Sequence, residues 1–440
     1  MIDIKLLRDN PKKISENLKK RGSKIDLKKI LLIDKKRREI LQEIESLRAN
    51  QNQANQAIVK ARGKEKEKKI SQMKKIAQKI KGLNPKLQKV EEEFNELILE
   101  LPNILRDDVK IGQNDQDNEV IKVVGKPPKF SAKGLPAQAG GSASGRDFSP
   151  KDYLTLAKEL DLIDTERAAK VAGSRFGYLK NEAVLLEFAL VQLAFEILRK
   201  ENFILMVPPV MISEVAMAAM GFLTTHGKEE VYHLAKDNLY LVGTSEQSIG
   251  PYHMNEILPQ ELLPLRYAGF STCFRREAGS YGKDTKGILR VHQFDKIEMF
   301  SFANPDKSDE EHQFLLSIEE KLMQALKLPY RVIKLCSTDT GTASARTYDI
   351  ETWLPSEGRY RETHSTSTCI DYQARSLNIR YKNKVSGKNE LVHTLNGTAF
   401  AIGRMILVIL ENYQQEDGSI LIPEVLQKYF DLKIIKKGRL

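Results

Sequence analysis

Cysteine, histidine and long apolar runs are scarce in this sequence. Its 440 residues include seven histidines and three cysteines; Cys273, Cys336 and Cys369 lie far apart and form no Cys-x-x-Cys pair. This spacing indicates neither a disulfide framework nor a local zinc site, and it favours buried thiols in a reducing compartment. No apolar run approaches the roughly 20 residues that span a bilayer, and the first residues lack a signal-peptide pattern. We therefore expect a cytoplasmic protein with no membrane partner.

Positive charge is concentrated near the N-terminus. The net charge is +11, and residues 1–110 contain 29 Lys and Arg against 17 Asp and Glu. The rest of the chain is nearly neutral, so the excess lies in the first quarter. A helical surface that is only solvated is usually rich in charges of both signs. An excess of one sign favours a surface that binds a polyanion, such as nucleic acid, through its phosphates. Charge alone leaves both interpretations open.

Two apolar seams with heptad-like spacing run through this basic region. The first extends from Ile30 to Ala61 and the second from Ile70 to Leu101, with Gly63 between them. The pattern predicts two helices of roughly 35 residues that fold back as an antiparallel coiled coil about 50 Å long. Pro85, within the second seam, predicts a kink or local unwinding. The residues from Leu6 to Arg21 have the pattern of one short amphipathic helix before the seams. A coiled coil that serves only dimerisation would have the same two seams.

Composition divides the rest of the chain into a connecting segment and a larger domain. Residues 111–150 have no periodicity and include a Gly/Ala/Ser-rich insertion at 134–145, which is typical of a linker. Beyond it, helical patterns mix with strand-like runs in series, which favours a mainly antiparallel sheet over a doubly wound fold. The sequence therefore predicts a helical arm over 1–110, a linker over 111–150 and an α+β domain over 151–440.

The densest group of candidate functional residues lies between Phe274 and Glu298. Two strand-like runs flank a glycine-bearing loop, with Arg275 and Arg290 at its edges and Phe294 on the returning strand. Arginine binds phosphate oxygens through paired N–H groups, and an aromatic face can stack on a purine base. The pattern suits a nucleoside polyphosphate, although the common glycine-rich nucleotide loops are absent from the sequence. A surface hairpin with solvated charges fits the same residue types.

This stretch resembles motif 2 of the class II aminoacyl-tRNA synthetases in its seryl form. Leu395–Gln414 is similar to motif 3, and Val207-Pro208-Pro209 is similar to motif 1, whose proline lies at the dimer interface. Thr244-Ser245-Glu246 resembles the serine-binding Thr-x-Glu of the seryl family, and Glu166–Phe176 resembles a further segment of that family. Because these motifs occur in order over nearly the whole chain, the sequence is identified as a member of the seryl-tRNA synthetase family.

The resemblance implies a serine–tRNA ligase. Such an enzyme activates L-serine with ATP to seryl-adenylate and pyrophosphate, and then transfers serine to tRNA(Ser), and to tRNA(Sec) where that tRNA exists. The resemblance also implies a class II catalytic domain on a mainly antiparallel sheet flanked by helices, a coiled-coil arm that contacts tRNA, and a homodimer. Mg²⁺ is the implied cofactor, and ATP is the implied substrate.

The resemblance further assigns roles to individual residues. Arg275 would contact the α-phosphate, Phe294 would stack on adenine, and Arg404 would hold the far end of the triphosphate, so that Arg275, Arg404 and Glu362 are the implied catalytic residues. Glu362 would bind Mg²⁺ together with Ser365, since this ion prefers hard oxygen ligands. The implied ATP-binding set is Arg275, Arg276, Glu277, Arg290, Val291, Phe294, Glu362, Thr363, His364, Ser365 and Arg404. The implied serine-binding set is Thr244, Ser245, Glu246, Glu298, Asn396 and Thr398.

Two other functions share parts of this pattern. An amino acid:carrier-protein ligase of the same class would have the activation site but no basic arm. A non-catalytic RNA-binding paralogue would have lost the phosphate-binding arginines or the metal-binding carboxylate, yet Arg275, Arg404 and Glu362 are all present.

His364 and Thr368 depart from the Ser-Cys-Ser-Asn-like run that the family usually has after the carboxylate matched here by Glu362.

Overall fold

The computed structural model describes residues 1–130, 148–278 and 286–438. The predicted insertion at 134–145 and part of the loop after Phe274 lie outside the described residues. The chain divides into two compact units, Ile2–Pro102 and Asn103–Leu440, and Met1 belongs to the second. Within the described ranges, no helix is long and apolar enough to cross a membrane.

Helices and strands alternate irregularly along the chain. In chain order the helices are α1 (Ile4–Asp9), α2 (Pro11–Lys20), α3 (Leu27–Lys60), α4 (Gly63–Leu99), α5 (Tyr153–Glu159), α6 (Thr165–Ala172), α7 (Glu182–Lys200), α8 (Glu214–Ala219), α9 (Thr225–Glu230), α10 (Glu246–Ile249), α11 (Ser308–Ala325), α12 (Tyr372–Leu377) and α13 (Ile402–Tyr413). The strands are β1 (Glu119–Val124), β2 (Ile163–Asp164), β3 (Tyr178–Leu179), β4 (Ile204–Met206), β5 (Met211–Ser213), β6 (Tyr232–Leu234), β7 (Leu239–Leu241), β8 (Ile257–Pro259), β9 (Leu265–Phe274), β10 (Gln293–Ala303), β11 (Tyr330–Lys334), β12 (Arg346–Leu354), β13 (Arg359–Ile370), β14 (Arg380–Lys382), β15 (Asn389–Leu391), β16 (His393–Ala401), β17 (Ile420–Leu421) and β18 (Ile434–Ile435).

The N-terminal unit begins with two short helices. The interpretation of Leu6–Arg21 as one helix is wrong, because Asn10 has a non-helical backbone and separates α1 from α2. The side chain of Asn10 accepts a hydrogen bond from the main-chain N–H of Lys13, and Pro11 occupies the first turn of α2. A proline disfavours helical conformation in the preceding residue but suits the start of a helix, which explains the break.

Helices α3 and α4 form the predicted antiparallel hairpin. Gly63 begins α4 with φ of +58°, a conformation that L side chains rarely adopt, which explains the turn at this position. The seam buries Ile44 on α3 and Phe94 on α4. Helix α4 continues through Pro85, so the predicted local unwinding is wrong, and the predicted kink stays a prediction. Helix α4 pairs with α3 on both sides of the proline, through Lys79 with Glu43 and through Glu91 with Arg37, and packing of this kind stabilises the helix.

The second unit is built on an eight-stranded sheet in the order β1-β11-β12-β13-β16-β10-β9-β4. All neighbouring pairs are antiparallel except β4 and β9. Helices α7, α11 and α13 contribute to the main hydrophobic core together with inward-facing residues of the sheet. This mixture of a mainly antiparallel sheet and flanking helices confirms the predicted α+β class.

The ladders of the central strands contain several register shifts, and two of them concern candidate site residues. Between β12 and β13, Glu351 pairs with Glu362 and Ile350 pairs with His364, so Thr363 is the extra residue. Between β10 and β16, the register shifts at Ile297 and Glu298. Because side chains alternate across a strand, one extra residue changes which side chains share a face. Both bulges lie beside the candidate site.

Candidate active site

A cleft of about 270 Å³ lies over the central strands and collects most of the predicted site residues. The predicted residues that line it are Thr244, Glu246, Arg275, Glu277, Arg290, Val291, Phe294, Glu298, Glu362, Thr363, Ser365, Asn396, Thr398 and Arg404. Residues from four separated parts of the chain therefore meet in one place. Lys296 also lines this cleft, although the sequence analysis did not single it out.

Three predicted residues do not line the cleft. Ser245 is fully buried, and its hydroxyl donates a hydrogen bond to the main-chain oxygen of Gly269 at 3.0 Å. The guanidinium of Arg276 lies 5.6 Å from the ring centre of Tyr232. His364 is buried, with Nδ1 2.9 Å from the hydroxyl oxygen of Thr363, and burial lowers its pKa to about 3. Their roles in binding stay predictions.

One half of the cleft is formed by residues in and next to the adjoining ends of β9 and β10, where Phe274 pairs with Gln293. The Nε of Arg275 donates to the main-chain oxygen of Gly243 at 3.0 Å, and its guanidinium lies 5.2 Å from the ring centre of Phe294. Arg290 lies 3.4 Å from the carboxylate of Glu277. Two guanidinium groups and an aromatic ring therefore face one cleft, an arrangement that suits a purine nucleotide with its phosphates.

Arg404 and Glu362 form an ion pair at the cleft. Nη1 of Arg404 lies 2.8 Å from Oε1 of Glu362 and also donates to the main-chain oxygen of Glu362 at 3.2 Å. Burial would raise the pKa of Glu362, but the charge of Arg404 and its hydrogen bond lower it below the usual value. Glu362 is therefore an anion, and its side chain is 47% exposed to the cleft.

Glu362 and Ser365 are three positions apart, which in a regular strand would place them on opposite faces. The bulge at Thr363 brings both into the cleft. Ser365 hydrogen-bonds to the buried Asp349. A carboxylate and a hydroxyl are oxygen ligands of the kind that Mg²⁺ accepts when substrate phosphates and water complete its shell. Within the described residues, no cluster of three or more His, Cys, Asp or Glu side chains could hold a metal, so phosphate ligands would be needed.

The other half of the cleft is rich in carboxyl groups and hydroxyls. Glu246 begins α10 and Glu298 lies on β10, and both are largely buried. The hydroxyl of Thr398 donates to Oε2 of Glu298 at 3.2 Å, and Nζ of Lys296 lies 2.5 Å from the same oxygen. A small substrate with an ammonium group and a hydroxyl would find an anion and a hydrogen-bond acceptor here.

The protonation of Glu246 depends on its neighbours. Burial, followed by the negative charge of Glu298, raises the pKa of Glu246 to about 7, while Lys296 and Arg275 oppose the shift. A buried carboxyl beside a second one favours its neutral form until a cation arrives. This half of the cleft is therefore prepared for a positively charged ligand.

Comparison with known proteins shows the family to which this chain belongs. The chain matches a model of the seryl-tRNA synthetase N-terminal domain over residues 1–105, and a model of the class II tRNA synthetase core domain (G, H, P, S and T) over residues 230–413. The serine–tRNA ligase of Dictyoglomus turgidum is 44% identical over 439 residues, which cover 99% of each chain. The chain belongs to the serine–tRNA ligase family. The serine–tRNA ligase of Thermobifida fusca is also 44% identical, over 98% of this chain and 97% of that protein.

Solved structures of the serine–tRNA ligase family have the same fold. The seryl-tRNA synthetase from Pyrococcus horikoshii, solved in complex with ATP, matches with a TM-score of 0.87 and 38% identity over all of both chains. The cytoplasmic serine–tRNA ligase from Naegleria fowleri, solved with AMP, matches with a TM-score of 0.81 and 30% identity over 100% of this chain and 99% of that one. Both family members are nucleotide complexes.

Proposed function

We propose that this chain activates L-serine with ATP and transfers the serine to tRNA(Ser). The observation that carries the proposal is the cleft, where three arginines and a phenylalanine lie beside the buried carboxyl groups of Glu246 and Glu298 and the hydroxyl of Thr398. This combination suits a nucleotide next to a small hydroxylated amino acid. Membership of the serine–tRNA ligase family supports the choice of serine.

The first step is an in-line displacement at the α-phosphorus. An oxygen of the serine carboxylate forms a bond to this phosphorus, and the bond to the β-phosphate oxygen breaks to release pyrophosphate. Arg275 stabilises charge at the α-phosphate, Arg404 holds the far end of the triphosphate, and Phe294 stacks on adenine. Catalysis of this kind depends on positioning and on fixed positive charge more than on a protein nucleophile.

Mg²⁺ is the proposed cofactor, with Glu362 and Ser365 as its protein ligands. When bound, the ion neutralises charge on the phosphate oxygens and helps to orient them. Glu362 is suited to this role because it is ionised and reaches the cleft. Arg404 stays within hydrogen-bond distance of the same carboxylate and orients it.

Serine selection uses the carboxyl half of the cleft. Glu246 and Thr244 bind the ammonium group, while Glu298 and Thr398 bind the hydroxyl beside Asn396. A site built to hydrogen-bond a substrate hydroxyl rejects an analogue that lacks it by about 10⁴- to 10⁵-fold. Alanine is therefore excluded because it leaves these polar groups without a partner, and threonine is excluded by its size.

The basic hairpin is the proposed tRNA-binding element. Between Lys60 and Lys75 the sequence has eight basic and two acidic residues. Nearer the base of the hairpin, acidic residues of α4 pair with basic residues of α3, as in the contact of 3.3 Å between Arg37 and Glu91. The positive excess therefore lies toward the turn, where phosphates are bound. We assign tRNA binding to residues 1–110, a linker that also contributes β1 to the sheet to 111–150, and catalysis to 151–440, with tRNA(Sec) as a second substrate.

A homodimer in the cytoplasm is the proposed working form. Large apolar side chains are exposed on α7 and around the segment that resembles motif 1, including Phe188 at 54% and Val207 at 77%. Exposed apolar groups that lie close together are characteristic of protein interfaces. A second copy that buried these residues would form the symmetric contact common in homodimers.

Aminoacylation of purified tRNA tests the proposal. Incubation with ATP, Mg²⁺ and labelled serine should load tRNA(Ser), and tRNA(Sec) where supplied, but not a tRNA for another amino acid. Activation of serine without loading of any tRNA would instead indicate the carrier-protein ligase. Absence of both activities would indicate the non-catalytic RNA-binding paralogue.

A further inference from the structure

Lys296 is a buried lysine in the wall of the cleft. It lies on β10 between Phe294 and Glu298, and the three side chains share the face of the strand that lines the cleft. Lys296 is 6% exposed, whereas lysine usually keeps its ammonium group in water. A buried ammonium group is costly unless a carboxylate compensates it. Lys296 therefore belongs to the charge pattern of the site.

The partner of Lys296 is Glu298. Nζ lies 2.5 Å from Oε2 of Glu298, and the hydroxyl of Thr398 donates to the same oxygen at 3.2 Å. Two donors thus fix one carboxylate oxygen of Glu298. The other oxygen, Oε1, remains as the acceptor that a substrate hydroxyl can use.

Several other titratable groups surround this ion pair. Lys296 interacts electrostatically with Glu246 on α10, with Cys273 on β9 and with Glu319 on α11, and the charge of Arg275 also acts on Glu246. Glu319 is fully buried. Burial, then the charges of Glu298 and Asp349, raise the pKa of Glu319 well above its usual range, which favours its neutral form.

Without Lys296, Glu246 and Glu298 would face each other with less positive charge between them. Two neighbouring carboxyl groups in a buried site share a proton, and their titration becomes that of a pair. Lys296 opposes the raised pKa of Glu246, so its removal should favour the neutral form of Glu246. Its removal would also take away one of the two donors that fix Oε2 of Glu298.

We propose that Lys296 is a positioning residue for serine recognition, which orients Glu298 so that its other oxygen, Oε1, accepts the serine hydroxyl. The inference rests on the proposed function, since it assumes that serine occupies this half of the cleft. It adds a residue that acts through Glu298. The substitution Lys296→Met should therefore impair serine more than ATP.

The test is serine-dependent ATP–pyrophosphate exchange by the full chain from about pH 6 to about pH 9, with variants K296M, K296R and K321M. Lys321 is the control, since it pairs with Glu201 at 2.5 Å on the surface. Loss of one charge-assisted hydrogen bond corresponds to about 10- to 100-fold, so K296M should raise the KM for serine by that factor near neutral pH and leave the KM for ATP within about twofold. The increase of kcat/KM for serine with pH should occur about one pH unit higher in K296M, because Lys296 no longer opposes the raised pKa of Glu246.

K296R should restore most of the serine affinity and the original pH profile, and K321M should behave as the wild type. If K296M is unstable, the KM for serine of E298Q is compared with that of E298Q/K296M. Removal of the lysine should change this KM little when residue 298 has no carboxylate for the lysine to orient. A K296M profile parallel to that of the wild type, with only reduced thermal stability, would overturn the inference. Absence of serine-dependent exchange in the wild type would overturn the proposed function, and this inference with it.

Discussion

Arg404, in the first turn of α13, donates a hydrogen bond of 2.8 Å to Glu362 on β13. The contact joins the end of the sheet to the start of a helix at the cleft. It holds an anion beside a cation in a site that we propose for a triphosphate with its metal ion. The pair therefore connects the two groups on which the phosphate chemistry depends.

Neutralising the carboxylate of this pair should slow serine activation. Glu362→Gln keeps the shape but removes the charge that a divalent cation requires, so we expect kcat of pyrophosphate exchange to fall by about 10²- to 10³-fold. The concentration of Mg²⁺ needed for half-maximal rate should rise. Glu357→Gln is the matched control, because Glu357 pairs with Arg359 at 2.5 Å outside the cleft. An unchanged Mg²⁺ requirement in Glu362→Gln would contradict this role.

Serine use should depend on the protonation of Glu246. Its pKa is raised from 4.5 to about 7 by burial and by Glu298, so the folded protein takes up a proton that the unfolded chain releases. The raised pKa of Glu246 therefore stabilises the folded protein, and this stabilisation is complete below about pH 4.5. It decreases as the pH rises and is lost above about pH 7. Binding of the serine ammonium requires the ionised form, so the two effects have opposite signs.

We therefore expect kcat/KM for serine to increase with pH through about 7, while kcat/KM for ATP stays nearly constant. Steady-state exchange at a series of pH values measures both. Glu246→Gln should remove the transition and weaken serine binding by about 10- to 100-fold. A wild-type profile for serine that is flat across this range would show that Glu246 does not bind the ammonium group.

Lysines near the turn of the hairpin should matter for tRNA and not for serine activation. Replacing the exposed Lys64, Lys66 and Lys68 by Gln should raise the KM for tRNA by roughly tenfold or more and make it less sensitive to salt, because fewer phosphates are neutralised. Charging assays at several salt concentrations measure this effect. Pyrophosphate exchange without tRNA should be unchanged.

A control with the same loss of charge is available in the second unit. Lys382, Lys384 and Lys388 are also exposed and lie around the β14–β15 connection. Replacing these three by Gln should affect the KM for tRNA less than the hairpin variant does. Equal effects of both triple variants would indicate a general influence of net charge and would contradict specific binding by the hairpin.

Phe188 should contribute to self-association. Phe188→Arg introduces a charge into the exposed apolar group on α7, and burial of an unpaired charge in an interface is unfavourable. We expect the variant to shift from dimer to monomer in analytical ultracentrifugation. Val385→Arg is the control, since Val385 is 95% exposed in a different part of the chain. A wild type that sediments as a monomer at working concentration would contradict the proposed dimer.

The sequence predicted the elements whose signals are local. Heptad spacing and Gly63 predicted the hairpin, and the strand-like runs predicted the central strands. Pro85 does not unwind α4, which continues through it as one helix, and the predicted kink stays a prediction. The split at Asn10 was readable in principle, since a proline follows it, but the apolar periodicity across it suggested one helix.

The shape of the site depends on long-range pairing that a single sequence does not display. The bulge at Thr363 has no local signal, yet it brings Glu362 and Ser365 into the same cleft. Lys296 could have been found from the alternation of Phe294, Lys296 and Glu298 along one strand. Its burial against Glu298, however, depends on β9 and β16 on either side of β10.

ATP–pyrophosphate exchange that depends on the added amino acid measures whether the cleft is specific for serine. Each of the common amino acids is supplied in turn with ATP and Mg²⁺, and the rate of exchange is compared. We expect rapid exchange with serine, exchange weaker by several orders of magnitude with alanine, which lacks the hydroxyl, and weaker exchange with the larger threonine. Preferred activation of a different amino acid, or no exchange with any of them, would contradict the proposed specificity for serine.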